Sequence, residues 1–165
     1  MAAGATYTPI ATTTLGSGQT SVTFSSIAST YSDLIVVMNY SNAGSEYPSL
    51  QFNGDTGNNY SWLDVAGNGT SAVSYSGTNV ASIPFLGYVV SGSNWGNVIA
   101  HIQNYSNTSI YKSVIGRSNY NASYAEACIG LWRNTAAINS ITITHYVSAT
   151  YQTGSTFTLY GIKAA

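Results

Sequence analysis

The segment from Cys128 to Ile162 constrains the fold more than any other stretch, because its apolar residues recur at every second position. In one run Ile141 and Ile143 alternate with threonines, and in a later run Phe157 and Leu159 do the same. A period of two directs alternate side chains of a β-strand to one face of its sheet. Since an apolar sheet face has to be covered, the segment predicts a second sheet packed on the first.

Runs of this kind recur along the chain, and glycine, asparagine and serine separate them. Pro9 favours an edge position for the first run, because proline cannot donate to a ladder. The run Asp33–Tyr40 is apolar on both faces, which predicts a central strand. Ala66–Asn79 has few apolar anchors and predicts a long exposed loop, whereas Ala122–Cys128 has room for one helical turn.

About ten strands at a spacing of roughly 8 to 12 residues are typical of a sandwich or barrel. No repeat, linker or shift in composition divides the 165 residues, a length that suits one domain. We therefore predict an all-β, single-domain, two-sheet antiparallel sandwich, jelly-roll-like, over residues 9–165. The small residues at the start predict a flexible N-terminal arm over residues 1–8.

The composition excludes several classes of function. Only 5% of the residues are charged, against roughly 25% in an ordinary soluble domain. Four Lys and Arg residues cannot form the basic surface that nucleic acid requires. The N-terminus carries no signal-like segment and no apolar run is long enough to cross a membrane, so we expect synthesis in a cytoplasm. The lone Cys128 predicts a small buried hydrophobe.

The titratable residues predict neither an enzyme nor a metal or cofactor site. The five acidic residues, including Asp64 and Glu126, are scattered over separate elements, and no local context indicates a carboxylate pair. His101 and His145 lie on predicted strands without ligands at metal spacing. The motif Asn53–Asn59 lacks the alternating carboxylates of a calcium loop and predicts a tight turn.

The aromatic residues are the main candidates for binding. The chain has 14 tyrosines, many of them at predicted strand ends, where a ring either covers the edge of a core or meets a partner. Aromatic rings surrounded by Asn and Ser also suit a sugar platform, for which Tyr75, Trp95 and Tyr120 are candidates. The predicted interface residues are Tyr7, Pro9, Tyr47, Tyr75, Trp95, Tyr120 and Tyr124.

Several sequence segments spread over most of the chain resemble those of small all-β virion structural proteins of tailed bacteriophages. They are Tyr7–Ala11, Ser21–Ile27, Phe52–Ser61, Ile102–Tyr105, Gly130–Ile138 and Gly154–Ile162. These segments look like turns and core strands. The resemblance therefore implies a scaffold and assigns no catalytic residue to this chain. It implies a place on the virion, as capsid decoration (cement) protein, head fibre or tail appendage.

The size of the chain and the lack of a repetitive shaft favour the decoration role among these. A decoration protein would bind the major capsid protein on the outside of the assembled head, as a homotrimer that bridges capsid subunits. The alternative is a receptor or glycan-binding module at the tail or head surface, with a host surface glycan as partner. Neither hypothesis involves nucleic acid, a membrane or a cofactor.

Overall fold

The computed structural model describes residues 6–84, 87–88, 94–120 and 124–163. Within those ranges every regular element is a β-strand. The eleven strands are β1 (Tyr7–Thr14), β2 (Val22–Phe24), β3 (Asp33–Tyr40), β4 (Pro48–Phe52), β5 (Tyr60–Gly67), β6 (Ala72–Val80), β7 (Gly96–Ile102), β8 (Lys112–Tyr120), β9 (Tyr124–Trp132), β10 (Ile141–His145) and β11 (Thr156–Ile162).

The strands form two sheets of unequal size. The large sheet has eight strands in the order β1-β11-β3-β7-β8-β9-β5-β6, and the small sheet has three in the order β2-β10-β4. Every neighbouring pair is antiparallel. The predicted all-β, two-sheet antiparallel sandwich is confirmed, with an eight-to-three division of strands that the sequence did not indicate.

The core lies between the small sheet and the inner face of the large one. On β3 the residues Leu34, Val36 and Met38 are fully buried, while Ile35 and Val37 between them face outward and are half-buried. This strand lies between β11 and β7, in the interior of the sheet as predicted. Its outward residues belong to the large sheet's other face, which no second layer of described residues covers.

Strand β1 is an edge strand, which confirms the position that Pro9 predicts. Pro9 lies opposite Tyr160, and the register shifts between Pro9 and Ala11. The predicted arm over residues 1–8 overlaps this strand, because Tyr7 and Thr8 already pair with β11. Residues 1–5 of that arm lie outside the described residues.

Two local predictions are wrong. Much of Ala66–Asn79 is not a loop, because β6 runs through it and pairs with β5 along its length. As an edge strand with most of its side chains exposed, β6 needs no apolar alternation, so its sequence looked like a loop. The helical turn predicted at Ala122–Cys128 is also absent from the described part of that segment, where β9 begins at Tyr124.

The predicted turn at Asn53–Asn59 connects β4 of the small sheet to β5 of the large one. Asn53 and Gly54 have φ of 55° and 68°, in the left-handed region that asparagine and glycine tolerate best. The Asp55 carboxylate accepts a 2.7 Å hydrogen bond from Nε1 of the buried Trp132. The turn therefore ties β9 to the connection between the sheets.

Candidate functional site

A cleft lined by tyrosines lies on the inner face of the large sheet, at the β6 end. We call it the tyrosine cleft, and its lining residues are Tyr47, Asp64, Ala66, Val73, Tyr75, Tyr124 and Glu126. Its volume is about 170 Å³. Three of the seven predicted interface residues, Tyr47, Tyr75 and Tyr124, therefore meet in one place.

Strand register brings two carboxyl groups into this cleft. Asp64 lies opposite Cys128, and Ala66 lies opposite Glu126, on the antiparallel pair of β5 and β9. Asp64 and Glu126 are thus diagonal neighbours on one face, with Cα atoms about 7–8 Å apart in such an arrangement. The two acids lie on separate elements, as predicted, but strand pairing brings them together, which no local sequence context indicated. Tyr75 lies directly opposite Asp64 on β6 and completes the row.

Both acids are buried, with 1% of Asp64 and 8% of Glu126 exposed. Burial raises the pKa of Asp64 to about 6. Burial also raises the pKa of Glu126 to about 7, against hydrogen bonds from Ser118 and the Tyr88 backbone that lower it, while the nearby charge of Asp64 raises it further. Near neutral pH the two carboxyl groups of the cleft together therefore carry less than two full negative charges.

The two carboxyl groups differ in their partners. Glu126 Oε2 accepts a 3.0 Å hydrogen bond from the Ser118 hydroxyl. Asp64 Oδ1 is buried and has no hydrogen-bond partner among the described residues. A buried oxygen without a donor is unfavourable by about 1–3 kcal/mol, so this carboxyl group is less stable here than one with a donor.

A second candidate surface is the large sheet's other face, which we call the outer sheet face. Two cross-strand rows form its centre, and each row crosses β11, β3, β7, β8, β9 and β5. The first row consists of Tyr160, Ile35, His101, Ile115, Ile129 and Leu63, and the second of Thr158, Val37, Ile99, Arg117, Ala127 and Val65.

The two central rows of the outer sheet face are mostly apolar and are accessible. The exposed fractions of Ile115, Ile129 and Val65 are 52%, 50% and 47%. Tyr7 lines a shallow depression in the face together with Ile35, Ile99 and Ile115, among others. Exposed apolar patches of this extent mark interaction surfaces in soluble proteins.

Few charges interrupt the outer sheet face. On the strands that form it, the Asp, Glu, Lys and Arg side chains directed outward are Asp33 at the start of β3 and Arg117 on β8. Asp33 Oδ2 lies 3.1 Å from Nε2 of His101. An interface here would desolvate little charge.

The remaining predicted interface residues are dispersed. Pro9 lies on edge strand β1, and Trp95 precedes β7, where its ring lies beside Gly154. Tyr120 ends β8, and its side chain lies outside the described parts of the structure. Because β7 and β6 are four strands apart in the sheet, the sugar platform of Tyr75, Trp95 and Tyr120 would span about 19 Å and is not a single site.

The position of each acid within the period-two pattern of its strand indicates that its side chain faces inward. Glu126 falls in phase with the buried Cys128 and Trp132, which predicts an inward acid on β9. Asp64 is in phase with Tyr60 and Trp62 on β5. What the sequence could not indicate is that β5 and β9, with the 56 residues 68–123 between them, are neighbours.

The other titratable residues have structural roles. Cys128 is buried as predicted, and its thiol donates to the Pro84 carbonyl. His145 Nε2 lies 3.0 Å from Asn42 Oδ1 in a buried contact. Across the described ranges, no group of three or more His, Cys, Asp or Glu side chains is placed to hold a metal ion. Within the same ranges, no helix has the length and apolar character needed to span a bilayer.

Comparisons with known proteins assign no family to the chain. No protein-family model matches the sequence, and no curated protein is significantly similar to it. Among solved structures, alginate lyase Aly36B is similar over 82% of this chain and 72% of that chain, at 5% identity and a TM-score of 0.33. A mutant of that lyase in complex with alginate tetrasaccharide is similar over 82% of this chain and 72% of that chain, at 6% identity and a TM-score of 0.31. Similarity this weak says nothing about the activity of this chain.

Proposed function

We propose that the chain is a virion structural protein of a tailed bacteriophage, which decorates the outside of the assembled head and catalyses no reaction. In this role many copies bind the major capsid protein and hold neighbouring capsid subunits together. The observation that carries the proposal is the outer sheet face, whose central rows are mostly apolar and carry little charge.

The size of the outer sheet face supports this function. Eight strands about 4.8 Å apart, each about 26 Å long, span roughly 900 Å². A standard protein interface buries about 800 Å² on each partner, so the face is large enough for one stable contact. Ile115, Ile129 and Leu63 lie side by side in its first row and would form the centre of that contact.

The chemistry of the face suits a permanent contact with a lattice. Apolar side chains gain free energy when water is removed from them, at about 25 cal/mol per Å². Among the described strand residues, Arg117 is the one Lys or Arg side chain directed to this face, so an interface would bury few charges that need partners. A protein that binds the assembled shell and not the separate subunits stabilises the shell by mass action.

The same proposal includes a homotrimer, which is the arrangement that the resemblance favours. Linking three capsid-binding faces makes the second and third contacts intramolecular and raises the overall affinity without new contacts. Tyr7 lies at the β1 side of the outer sheet face, where the N-terminal residues could extend the contact with a neighbouring subunit.

Binding to phage heads tests the proposal. Heads of the encoding phage, prepared without this protein, are mixed with the wild type or with the double variant Ile115→Lys/Ile129→Lys, and bound protein is measured after sedimentation. Two lysines in the first row should weaken binding at least tenfold, because each charge would lose its water in the contact. Both positions are half-exposed, so the fold should persist, which circular dichroism checks.

Thr23→Lys is the matched control, since Thr23 is exposed on the small sheet. It should bind heads as the wild type does. Unchanged binding of the double variant would contradict the role of the outer sheet face. A reconstruction of the virion with this protein at the tail tip would contradict the decoration role itself.

A further inference from the structure

The tyrosine cleft contains the features of a ligand site that the decoration role does not use. It combines a buried carboxyl oxygen without a donor, a second buried carboxyl group on the neighbouring strand, and three tyrosine rings. We propose that this cleft binds one ring of a neutral saccharide, whose hydroxyl groups donate to Asp64 and Glu126. The site lies on the opposite face of the large sheet from the outer sheet face, so it is independent of capsid binding.

Asp64 is the residue that points to a ligand. Its side chain lines the cleft, 1% of the residue is exposed, and Oδ1 has no partner among the described residues. A hydroxyl group of a ligand in the cleft would give the Asp64 carboxyl group, which no described residue donates to, a hydrogen-bond donor and so relieve the unfavourable state. Because the acceptor is a carboxylate, the resulting hydrogen bond would be stronger than one between neutral groups.

Glu126 provides the second polar contact. The Ser118 hydroxyl donates to its Oε2, and the Tyr88 backbone also donates to the carboxyl group, so the side chain is held in place. Its diagonal position relative to Asp64 places two acceptors on one side of a small ring. Saccharides, with hydroxyl groups all round a ring, match two fixed acceptors better than an apolar ligand does.

The tyrosines provide the apolar part of the site. Tyr75 is 52% exposed on edge strand β6, opposite Asp64. Tyr47 is supported by Tyr88, with ring centroids 4.6 Å apart. Rings with apolar faces and polar rims are suited to the mixed C–H and hydroxyl surface of a sugar.

Charge and size define the class of saccharide. Two carboxyl groups would repel an acidic sugar such as a uronate, so the ligand should be neutral. A cleft of about 170 Å³ has room for roughly five or six water molecules at about 30 Å³ each, which is the scale of one sugar ring. Calcium prefers six to eight oxygen ligands, more than this pair of carboxyl groups offers.

Titration of the full-length protein tests the inference. The probes are neutral oligosaccharides of glucose, galactose, mannose and N-acetylglucosamine, with alginate tetrasaccharide and calcium chloride as separate arms, and NMR follows the tyrosine ring signals. At least one neutral probe should bind saturably and shift Tyr75 and Tyr124. Asp64→Asn, which keeps the shape but weakens the acceptor, and Tyr75→Ala should each weaken binding at least tenfold.

Tyr111→Ala is the matched control, because Tyr111 is 55% exposed and is not among the residues that line the cleft. It should bind the probe like the wild type, and all variants should keep wild-type affinity for heads. The inference is overturned if no neutral probe binds at 10 mM, if alginate or calcium alone binds more tightly, or if both cleft variants bind normally. Cleavage of a probe that Asp64→Asn abolishes would replace the binding role with catalysis.

Discussion

At the scale of single residues, the buried acids Asp64 and Glu126 are unusual in a chain with so few charges. An acid that stays buried without a cationic partner is less stable in its ionised form. Here burial raises both pKa values into the neutral range. Retaining such groups is unfavourable for folding above neutral pH, which is consistent with a role in binding.

The pKa of Glu126 predicts a pH dependence of stability. Its folded value of about 7 lies above the unfolded value of about 4.3, so the folded state binds more protons between these values and the free energy of unfolding decreases as pH rises through this window. Glu126→Gln should remove this decrease. Its free energy of unfolding should therefore rise relative to that of the wild type by up to about 3 kcal/mol between pH 5 and pH 8. Urea unfolding at both pH values measures it.

Asp64→Asn extends this prediction. Because the charge of Asp64 contributes to the raised pKa of Glu126, the remaining decrease in stability should be smaller and lie at lower pH. Equal pH dependence in the wild type and Glu126→Gln would show that Glu126 is ionised freely in the folded protein.

Asp55 illustrates the opposite effect. Burial raises its pKa, but hydrogen bonds from Trp132, Asn59 and the Gly57 backbone outweigh this and lower it. Asp55→Asn should lower the free energy of unfolding by about 1–3 kcal/mol at pH 7, because the amide cannot accept all of these bonds. A depressed folded pKa contributes stability above the unfolded value of about 3.9, so the difference should diminish as pH falls below about 4.

Urea unfolding at pH 7 and pH 3 tests this prediction. Asp33→Asn is the acid-to-amide comparison, since Asp33 forms a partly exposed pair with His101 and should contribute less than about 1 kcal/mol. A smaller effect at Asp55 than at Asp33 would show that the turn does not depend on this carboxylate.

At the scale of elements, β9 determines how closely the layers approach. Gly130 lies on the inner side of β9, and a Cβ atom at this position would lie 2.5 Å from Cγ2 of the fully buried Ile83. Ile83 in turn pairs with Leu50 of β4 in an isolated bridge. The glycine therefore allows the connection after β6, which pairs with β4 beside the small sheet, to pack closely against β9.

Gly130→Ala should consequently lower the free energy of unfolding by about 1–3 kcal/mol, through overpacking against Ile83. Ile83→Val should recover part of this loss in the double variant, because it removes the Cδ1 atom that also lies 2.6 Å from the added methyl group. Gly16→Ala, where nothing lies within 4 Å, should change stability by less than about 0.5 kcal/mol. Thermal and urea unfolding distinguish these outcomes, and equal effects at both glycines would contradict the packing argument.

At the scale of the whole molecule, the two faces of the large sheet have different roles in our proposals. The inner face holds the core and, at its β6 end, the tyrosine cleft, whereas the outer sheet face remains accessible. A formal net charge of −1 at pH 7 gives the chain little long-range electrostatic attraction or repulsion. Association of this protein should therefore depend on apolar contact.

Head binding should accordingly change less than about threefold between 50 and 500 mM NaCl, because salt screens charges and few charges lie on the outer sheet face. Sedimentation of heads with bound protein at several salt concentrations measures this. A loss of tenfold or more across that range would indicate an electrostatic contact, and would assign the binding to another surface.

Sequence reasoning predicted the class of fold because the relevant signal is local. Ile141 and Ile143 in β10, or Phe157 and Leu159 in β11, reveal a buried face through their own spacing. Where a strand buries little, as in β6, this signal is missing and the prediction was wrong. The same limit applies to the site, since Tyr47, Tyr75 and Tyr124 were candidates individually but nothing local showed that they meet.

The sequence by itself determined the β-strand character, the two layers, the edge position of Pro9 and the burial of Cys128, because each follows from side-chain period, backbone chemistry or polarity. The tertiary structure decided which strands are neighbours, and with it the pairing of Asp64 with Glu126 and the alignment of apolar rows on the outer sheet face. Antiparallel pairing joins residues that are far apart in the chain. The hydrogen bonds that form these pairs come from the backbone, which is the same for nearly all residue types, so the side chains of a strand do not show which strand lies next to it.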